Sequence, residues 1–486
     1  MTAHYPGPAM QEQSSDQFLV LDAAQMRTPE EFEAVGLDMT AVLEMTRTDI
    51  PAERALRNAV YGDEAAGILD TLKDDDHYRR IITTHSRHLT YLDTLLATNR
   101  ALAWCPLSGR AVRADESALI DTYHIAYGFS GEERFYLIVG RWHGRKCALF
   151  LPSRKLIVLI NAPEKSTAMT GMIIKSMEWL AHYKDIHPDA SQSRTLSEGN
   201  GFVLTMATTA NLGHQIWQDL SGLELMIDQG LADKINRIIV CNNAKFDIGA
   251  LFPELPPGTV RNVGDSRNMR DAAYREHGTI IHPVGYQISQ SLRERIWRVS
   301  RAEVGPVRAA EIDEAAKDRK LIWINLRSHN KSWINQIDGH VAVLEALQKE
   351  FGNIGVVYDG WTDTLEVRDA IDAKLSPDIL RFNTVGCQLS ESILWANVVS
   401  AYISVIGSGL VINSWLSSTP GVAHSDHVHL LQATAWPSVA PDAIPPIFLT
   451  KDQIESGVNI YSNYDFDWQH LLEPLSEILR NASSVR

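Results

Sequence analysis

The pattern best suited to chemistry in this chain is Ile406-Gly-Ser-Gly-Leu-Val-Ile-Asn413, where an apolar run meets a turn of small residues and an apolar helix start. Glycine admits the backbone angles of a sharp turn and lets a ligand come close to the main chain. The N–H groups that open a helix have no carbonyl partners and lie at the positive end of its dipole, so the turn predicts an anion site. Ser408 adds a hydroxyl, and Gly407, Gly409 and Leu410 contribute backbone; the plain alternative is a tight turn with no ligand. A second element, Asn325-Leu-Arg-Ser-His-Asn-Lys331, directly follows a strand-like run. The Arg327 guanidinium can grip a diphosphate with two parallel hydrogen bonds, and the Lys331 ammonium adds a compact charge. Placed at one sheet edge with Asn325 and the glycine turn, they would stabilise a leaving nucleoside diphosphate without a metal. Otherwise they are surface residues at a strand end.

A third element, Ala207-Thr-Thr-Ala-Asn-Leu-Gly-His214-Gln-Ile-Trp217, has the same order of strand, loop and helix. Histidine titrates near neutrality, which suits His214 to act as base toward an acceptor hydroxyl. Alternatively Asn211, Gly213 and His214 bind substrate while an acid elsewhere does the proton work, with Asp219 in reserve. A loop histidine with a structural hydrogen bond is the competing reading. His424-Ser-Asp-His-Val-His429 gathers ordinary metal-ligand types, and in a strand His427 and His429 would share a face. No second cluster accompanies it, so no metal is assigned; a loop after the helix, near the cleft, could carry these histidines simply to contact donor or solvent.

These elements need strands and helices to place them. Residues 1–100 read as helical, with Thr28 as a cap before Pro29 and three glutamates, and with helical patterns at 52–58 and 77–96. Residues 101–195 contain short β-rich runs at 135–139, 146–151 and 156–160, separated by Ser130-Gly131, His143-Gly144 and Pro152-Ser153, and predict an antiparallel meander. A polar stretch, 188–200, follows. Strands at 202–206, 235–240 and 278–284 with a helix at 214–229 give the strand, helix, strand order of a parallel sheet. One or two helices broken near Gly305-Pro306 span 289–320 and lead to a second α/β unit. Its strands are expected at 321–326, 354–358, 379–382 and 398–406, with helices at 340–351, 364–373, 390–397 and 410–416. The proline-rich stretch 433–446 reads as irregular, and a last helix is expected at 468–479.

Length alone, 486 residues, calls for two or three domains. Apolar residues at 45% and charged residues at 22% place the chain in the globular range. The first 16 residues lack the order of a signal peptide, and the longest apolar stretch, 398–412, is too short and too broken to span a bilayer. A soluble cytoplasmic protein is expected, with peripheral membrane contact left open. Four widely spaced cysteines without a CxxC pair argue against a zinc ribbon or a disulfide framework. The net charge of −15 argues against nucleic acid as partner, yet residues 261–331 carry 14 bases against 9 acids. A basic middle in an acidic chain suits a small anionic ligand, or else a solvated arginine-rich helix.

With Arg327, Gly407-Ser-Gly-Leu-Val-Ile-Asn413 and Pro420-Gly421 in this order, residues 321–424 resemble the C-terminal lobe of GT-B glycosyltransferases, most of all sequence family 61. The Gly213-His214-x-x-Trp217 element looks like one seen in first lobes of inverting GT-B enzymes. This chain has Ile406 where the family's glycine turn carries a histidine. The resemblance implies α/β architecture with two Rossmann-like lobes and a helical and β-meander N-terminal accessory region. The corresponding division is 1–100 helical, 101–195 meander, 196–317 acceptor-side lobe, 318–432 donor-nucleotide lobe, and 433–486 tail and helix. It also implies an inverting, metal-independent glycosyltransferase with no cofactor, the nucleotide sugar being its co-substrate. Catalytic roles fall to His214 and Arg327, donor binding to Lys331, Asn325, Gly407, Ser408, Gly409 and Leu410, and acceptor binding to Asn211, Gly213 and Trp217. A saccharide, lipid-linked or protein acceptor completes the reaction; a transferase of pyruvyl or phosphoryl groups, or a non-catalytic sugar-binding module, would use the same scaffold.

Overall fold

A computed structural model describes residues 18–26, 28–47, 49–65, 90–140, 145–161, 166–187, 196, 201–206, 211–285, 287–457, 459 and 461–484. The helical pattern at 77–89, the His143-Gly144 turn, the loop 207–210 and most of the polar stretch 188–200 lie outside them. The chain divides into two compact units. The first comprises Met1–Ala207, Ile227–Asn242 and Leu255–Val284; the second comprises Thr208–Met226, Asn243–Glu254 and Gly285–Arg486.

In the first unit, alternating and β-branched runs form strands that each bury an apolar face. These are β1 (Leu19–Asp22), β2 (Leu102–Trp104), β3 (Ala111–Leu119), β4 (His124–Ser130), β5 (Arg134–Gly140), β6 (Arg145–Leu151) and β7 (Leu156–Leu159). They make one sheet in the order β1-β7-β6-β5-β4-β3-β2, antiparallel except where β1 joins β7. β1 is a strand inside the stretch read as helical: four residues are too few to show a period, and pairing with β7 decides their conformation. Helix Ser166–Ile186 covers this sheet with Ile173, Met177, Leu180 and Tyr183, all buried. The same unit contains β8 (Phe202–Met206), β9 (Ile235–Cys241), β10 (Val260–Val263) and β11 (Thr279–Ile281), a parallel sheet ordered β10-β9-β8-β11. Two buried bonds tie the sheets together: Tyr127 Oη donates to the Ile280 carbonyl at 3.0 Å, and the Ile280 N–H donates to Ser117 Oγ at 2.9 Å.

The second unit is built on a six-stranded parallel sheet. Its strands are β12 (Lys320–Asn325), β13 (Ile354–Asp359), β14 (Leu380–Asn383), β15 (Ala401–Val405), β16 (Gly421–His424) and β17 (Ile447–Phe448). The order is β14-β13-β12-β15-β16-β17. Residues 321–325, Leu-Ile-Trp-Ile-Asn, are buried throughout, as expected of a parallel strand covered on both faces. The sheet grows from β12 through β13 to β14, then the chain crosses back and lays β15 on the other side of β12. That reversal falls between β12 and β15, whose C-terminal ends are the usual ligand site of such sheets. The expected break at Gly305-Pro306 separates helices Gln290–Val304 and Pro306–Ala315. The closing helix, Gln469–Ser484, belongs to this unit and buries Leu471, Leu475 and Leu479 in its core. Trp333 anchors that core: it stacks on Phe466 with ring centroids 4.2 Å apart, and His340 and His424 meet it edge-on at 5.2 and 6.0 Å.

Three local readings change. The expected helix at 410–416 is a short α-turn, Ser408–Leu410, that widens into a π-helix, Val411–Leu416. The tail at 433–446 includes a one-turn helix, Trp436–Val439, and just beyond it β17 closes the sheet. β16 stops at His424, so His427 and His429 are not strand neighbours: Asp426 accepts the backbone N–H groups of Val428 and His429 and turns the chain out of the sheet. The α/β class, with two parallel sheets and an N-terminal helical and antiparallel region, stands as expected.

Candidate active site

Four adjacent strands of the second unit end in polar residues: β13 in Asp359, β12 in Asn325 followed by Arg327, β15 in Ile406-Gly407-Ser408, and β16 in Ser425-Asp426. Gly407 has φ 152°, a region only glycine enters easily, and a Cβ there would stand 3.1 Å from Lys331 Nζ and 3.2 Å from Arg327 Nη2. Two cations from one loop therefore close on the glycine turn of the next strand. The Lys331 ammonium donates to the Ile406 carbonyl at 2.9 Å. The Arg327 guanidinium makes no hydrogen bond or ion pair among the described residues, although Asp359 and Asp363 lie within its field. From Gly407 a nine-residue helical run begins, so the N–H groups of Ser408, Gly409 and Leu410 open a helix beside both cations.

The loop 327–331 is fixed from three sides. Gln336 braces Arg327, accepting its N–H at 3.3 Å and donating to its carbonyl at 2.6 Å. Ser328 and His329 both reach Asp363, at 2.7 Å each. Lys331 has φ 53°, a conformation unfavourable for a side-chain-bearing residue, and its N–H donates to the Tyr461 carbonyl at 3.3 Å. Ser332 and Ile334 continue this pairing with Asn463 and Tyr464. A segment about 130 residues away in sequence thus sets the position of Lys331.

Burial and the neighbouring Arg327 push the Lys331 ammonium down to about 8, with Asp426 opposing. Burial also lowers Arg327, against Tyr464, Asp359 and Asp363. Asp359 is pushed up to about 6 by burial, opposed by the Asn325 Nδ2 hydrogen bond at 2.7 Å. An anion approaching the glycine turn meets cations partly stripped of water, where charge interactions are stronger than in bulk solvent.

The proposed donor residues come together here, with two qualifications. Leu410 buries its side chain completely, so only its backbone faces the turn. Asn325 gives its amide to Asp359 and packs under Gly409, where a Cβ would lie 2.6 Å from Nδ2; it shapes the floor. Asn211, Gly213, His214 and Trp217 lie in the same unit as this site. Asn211 caps the helix start by accepting the His214 N–H at 3.3 Å. A Cβ at Gly213 would meet Val411 Cγ2 at 3.4 Å, one turn beyond Ser408. The helix continues as a second π-helix, Gln215–Leu220, and Trp217 lies 6.4 Å from Trp415 of the first; π-turns are frequent at functional sites. Asp219, held in reserve above, is fully buried.

The histidine-rich stretch separates into three environments. His424 is buried against Tyr464 Oη at 2.7 Å, His427 meets the Ile454 carbonyl at 2.8 Å, and His429 pairs with Asp426 at 2.7 Å. No group of three or more metal-ligating side chains converges among the described residues. Nor is any helix among them long and apolar enough to cross a membrane. Sequence reasoning did not select Tyr461 for this site, and it left Asp426 and His429 only as part of a histidine-rich stretch that could bind a metal or contact the donor.

No family model and no curated protein matches the chain. Among solved structures it is similar to E. coli ADP-heptose LPS heptosyltransferase II, at 12% identity over 58% of this chain and 99% of that one, with a TM-score of 0.33. A glycosyltransferase of family 9 from Veillonella parvula matches at 12% over 60% and 99%, with a TM-score of 0.37. UDP-GlcNAc 2-epimerase from Neisseria meningitidis matches at 12% over 55% and 76%, with a TM-score of 0.29. Family 61 is not among the families these three name.

Proposed function

We propose that the chain is a glycosyltransferase that binds the diphosphate of a nucleotide sugar at the glycine turn of its second unit. The observation that carries this reading is the convergence of Arg327 and Lys331 on Gly407, where the parallel sheet reverses its strand order. In the proposed reaction Arg327 bridges two phosphate oxygens, Lys331 neutralises a third, and the first N–H groups of the 408–416 run take the remaining charge. As the bond from the anomeric carbon to the phosphate oxygen breaks, the new negative charge grows against groups already in place. His214 takes the proton from the attacking acceptor hydroxyl or orients that hydroxyl, and the half-buried Trp217 offers an aromatic face to the acceptor. Attack opposite the diphosphate inverts the anomeric centre. No metal is needed for charge balance in this scheme, and the acceptor is a saccharide, a lipid-linked sugar or a protein side chain.

The test is release of nucleoside diphosphate from a panel of nucleotide sugars. Arg327→Ala should lower the rate about 100-fold with an unchanged fold by circular dichroism, and Arg327→Lys should recover only part of it. If none of the donors is bound or consumed, or if Arg327→Ala acts like the parent, the reading is wrong.

A further inference from the structure

The Asp426–His429 pair follows β16 and stands within the field of both cations. Asp426 is fully buried, and its carboxylate accepts three hydrogen bonds: from the Val428 N–H at 2.9 Å, the His429 N–H at 3.0 Å and His429 Nδ1 at 2.7 Å. That last bond fixes the tautomer, because Nδ1 carries the proton and Nε2 is left with a lone pair. Nε2 has no hydrogen-bond partner among the described residues. The His429 ring lies 5.2 Å from the Tyr461 ring, and Lys331 Nζ lies 6.0 Å from the same ring, so imidazole and ammonium share one wall.

We infer that His429 is a proton-accepting third cation of this pocket: an anion bound by Arg327 and Lys331 draws a proton onto Nε2, which then donates to the ligand. This deepens the reading of a diphosphate site and rests on it. The charged and titratable groups facing His429 are Asp426 on its own loop, Lys331 and Arg327 from the loop after β12, and Tyr461, with Tyr464 beyond Asp426. Without an anion, burial and the two cations hold the imidazole below its ordinary range, while Asp426 opposes them. A diphosphate reverses the sign of the local field, and Asp426 is already placed to support the imidazolium. Near neutral pH Lys331 is still mostly protonated, but Asp359, pushed up to about 6, and the ligand's own terminal phosphate also exchange protons. It is therefore the difference in uptake between the parent and His429→Gln that reports His429.

Isothermal titration calorimetry with inorganic pyrophosphate, UDP, GDP and ADP, near neutral pH in two buffers of different ionisation enthalpy, counts the protons exchanged. The parent should take up more protons per diphosphate bound than His429→Gln does, by a sizeable fraction of about one. His429→Gln, which keeps an N–H for Asp426, should still bind, and Asp426→Asn should reduce the excess. Proton-detected NMR of the His429 ring, titrated with pyrophosphate, should move toward the imidazolium position in the parent. Net proton exchange that is the same in the parent and in His429→Gln overturns the inference while leaving the diphosphate site standing. Failure of all four probes to bind overturns the site itself.

Discussion

At the residue scale, the site depends on a lysine whose charge is marginal. Its ammonium is pushed down to about 8, so in the empty site it loses its proton as pH rises through that value. An anion binds the ammonium and not the amine, so diphosphate affinity should fall above about pH 8, by up to tenfold per pH unit. Calorimetry across that range checks this, and Lys331→Met should remove the dependence along with much of the affinity. Gly407 is equally exposed to test. Its φ of 152° and the two cations 3.1 and 3.2 Å from any Cβ mean that Gly407→Ala should weaken pyrophosphate binding on the order of tenfold. Stability, followed by urea unfolding, should change by only about 1–2 kcal/mol. Arg327, Lys331 and the glycine turn were legible because their residue types and their places after apolar runs carry a physical meaning. Tyr461 was not, since it comes from a segment with no periodic pattern, and His429 stood out only as one of three crowded histidines with no single role.

At the scale of elements, long apolar runs with a clear period were read correctly and junctions were not. β12, β13 and β15 stand out because a parallel strand buried on both faces is apolar at nearly every position. The two π-helices have no sequence signature, because widening a turn by one residue changes spacing less than composition does. Docking of residues 461–465 along 331–334 was also hidden, because these short pairings are decided by tertiary contact. The helix after β12 carries a tight constraint. A Cβ on Gly339 would lie 1.9 Å from the Trp333 ring, so Gly339→Ala should destabilise the second unit by about 2–3 kcal/mol. The midpoint of urea unfolding, read from Trp fluorescence, tests this; an unchanged midpoint would contradict the packing described.

At the scale of the molecule, an acidic chain brings two desolvated cations, Arg327 and Lys331, together at one sheet edge of the second unit. Pyrophosphate should therefore protect a compact set of amides from hydrogen exchange, at 325–331, 406–410 and 425–429, and leave the antiparallel sheet of the first unit unchanged. Protection centred on the first unit would move the ligand elsewhere. Two α/β halves were evident from the order of strands and helices. Their membership was less so: the antiparallel strands share a unit with the first parallel sheet through Tyr127, Ser117 and Ile280. Those contacts join residues more than 150 positions apart, beyond the reach of any local pattern.

The two imidazoles flanking Trp333 set an acid limit on the protein. Burial pushes His340 down to about 4 and His424 to about 3, well below the 6.5 of an unfolded histidine. Below neutrality the unfolded chain therefore takes up protons that the native core refuses. These residues cost the native state nothing above about pH 6.5, and on the order of 1 kcal/mol each per unit of acidification below it, down to about pH 4 for His340 and about pH 3 for His424. A vessel or compartment that acidifies should thus loosen the second unit from inside, and His424→Phe should flatten the fall of its unfolding midpoint with pH.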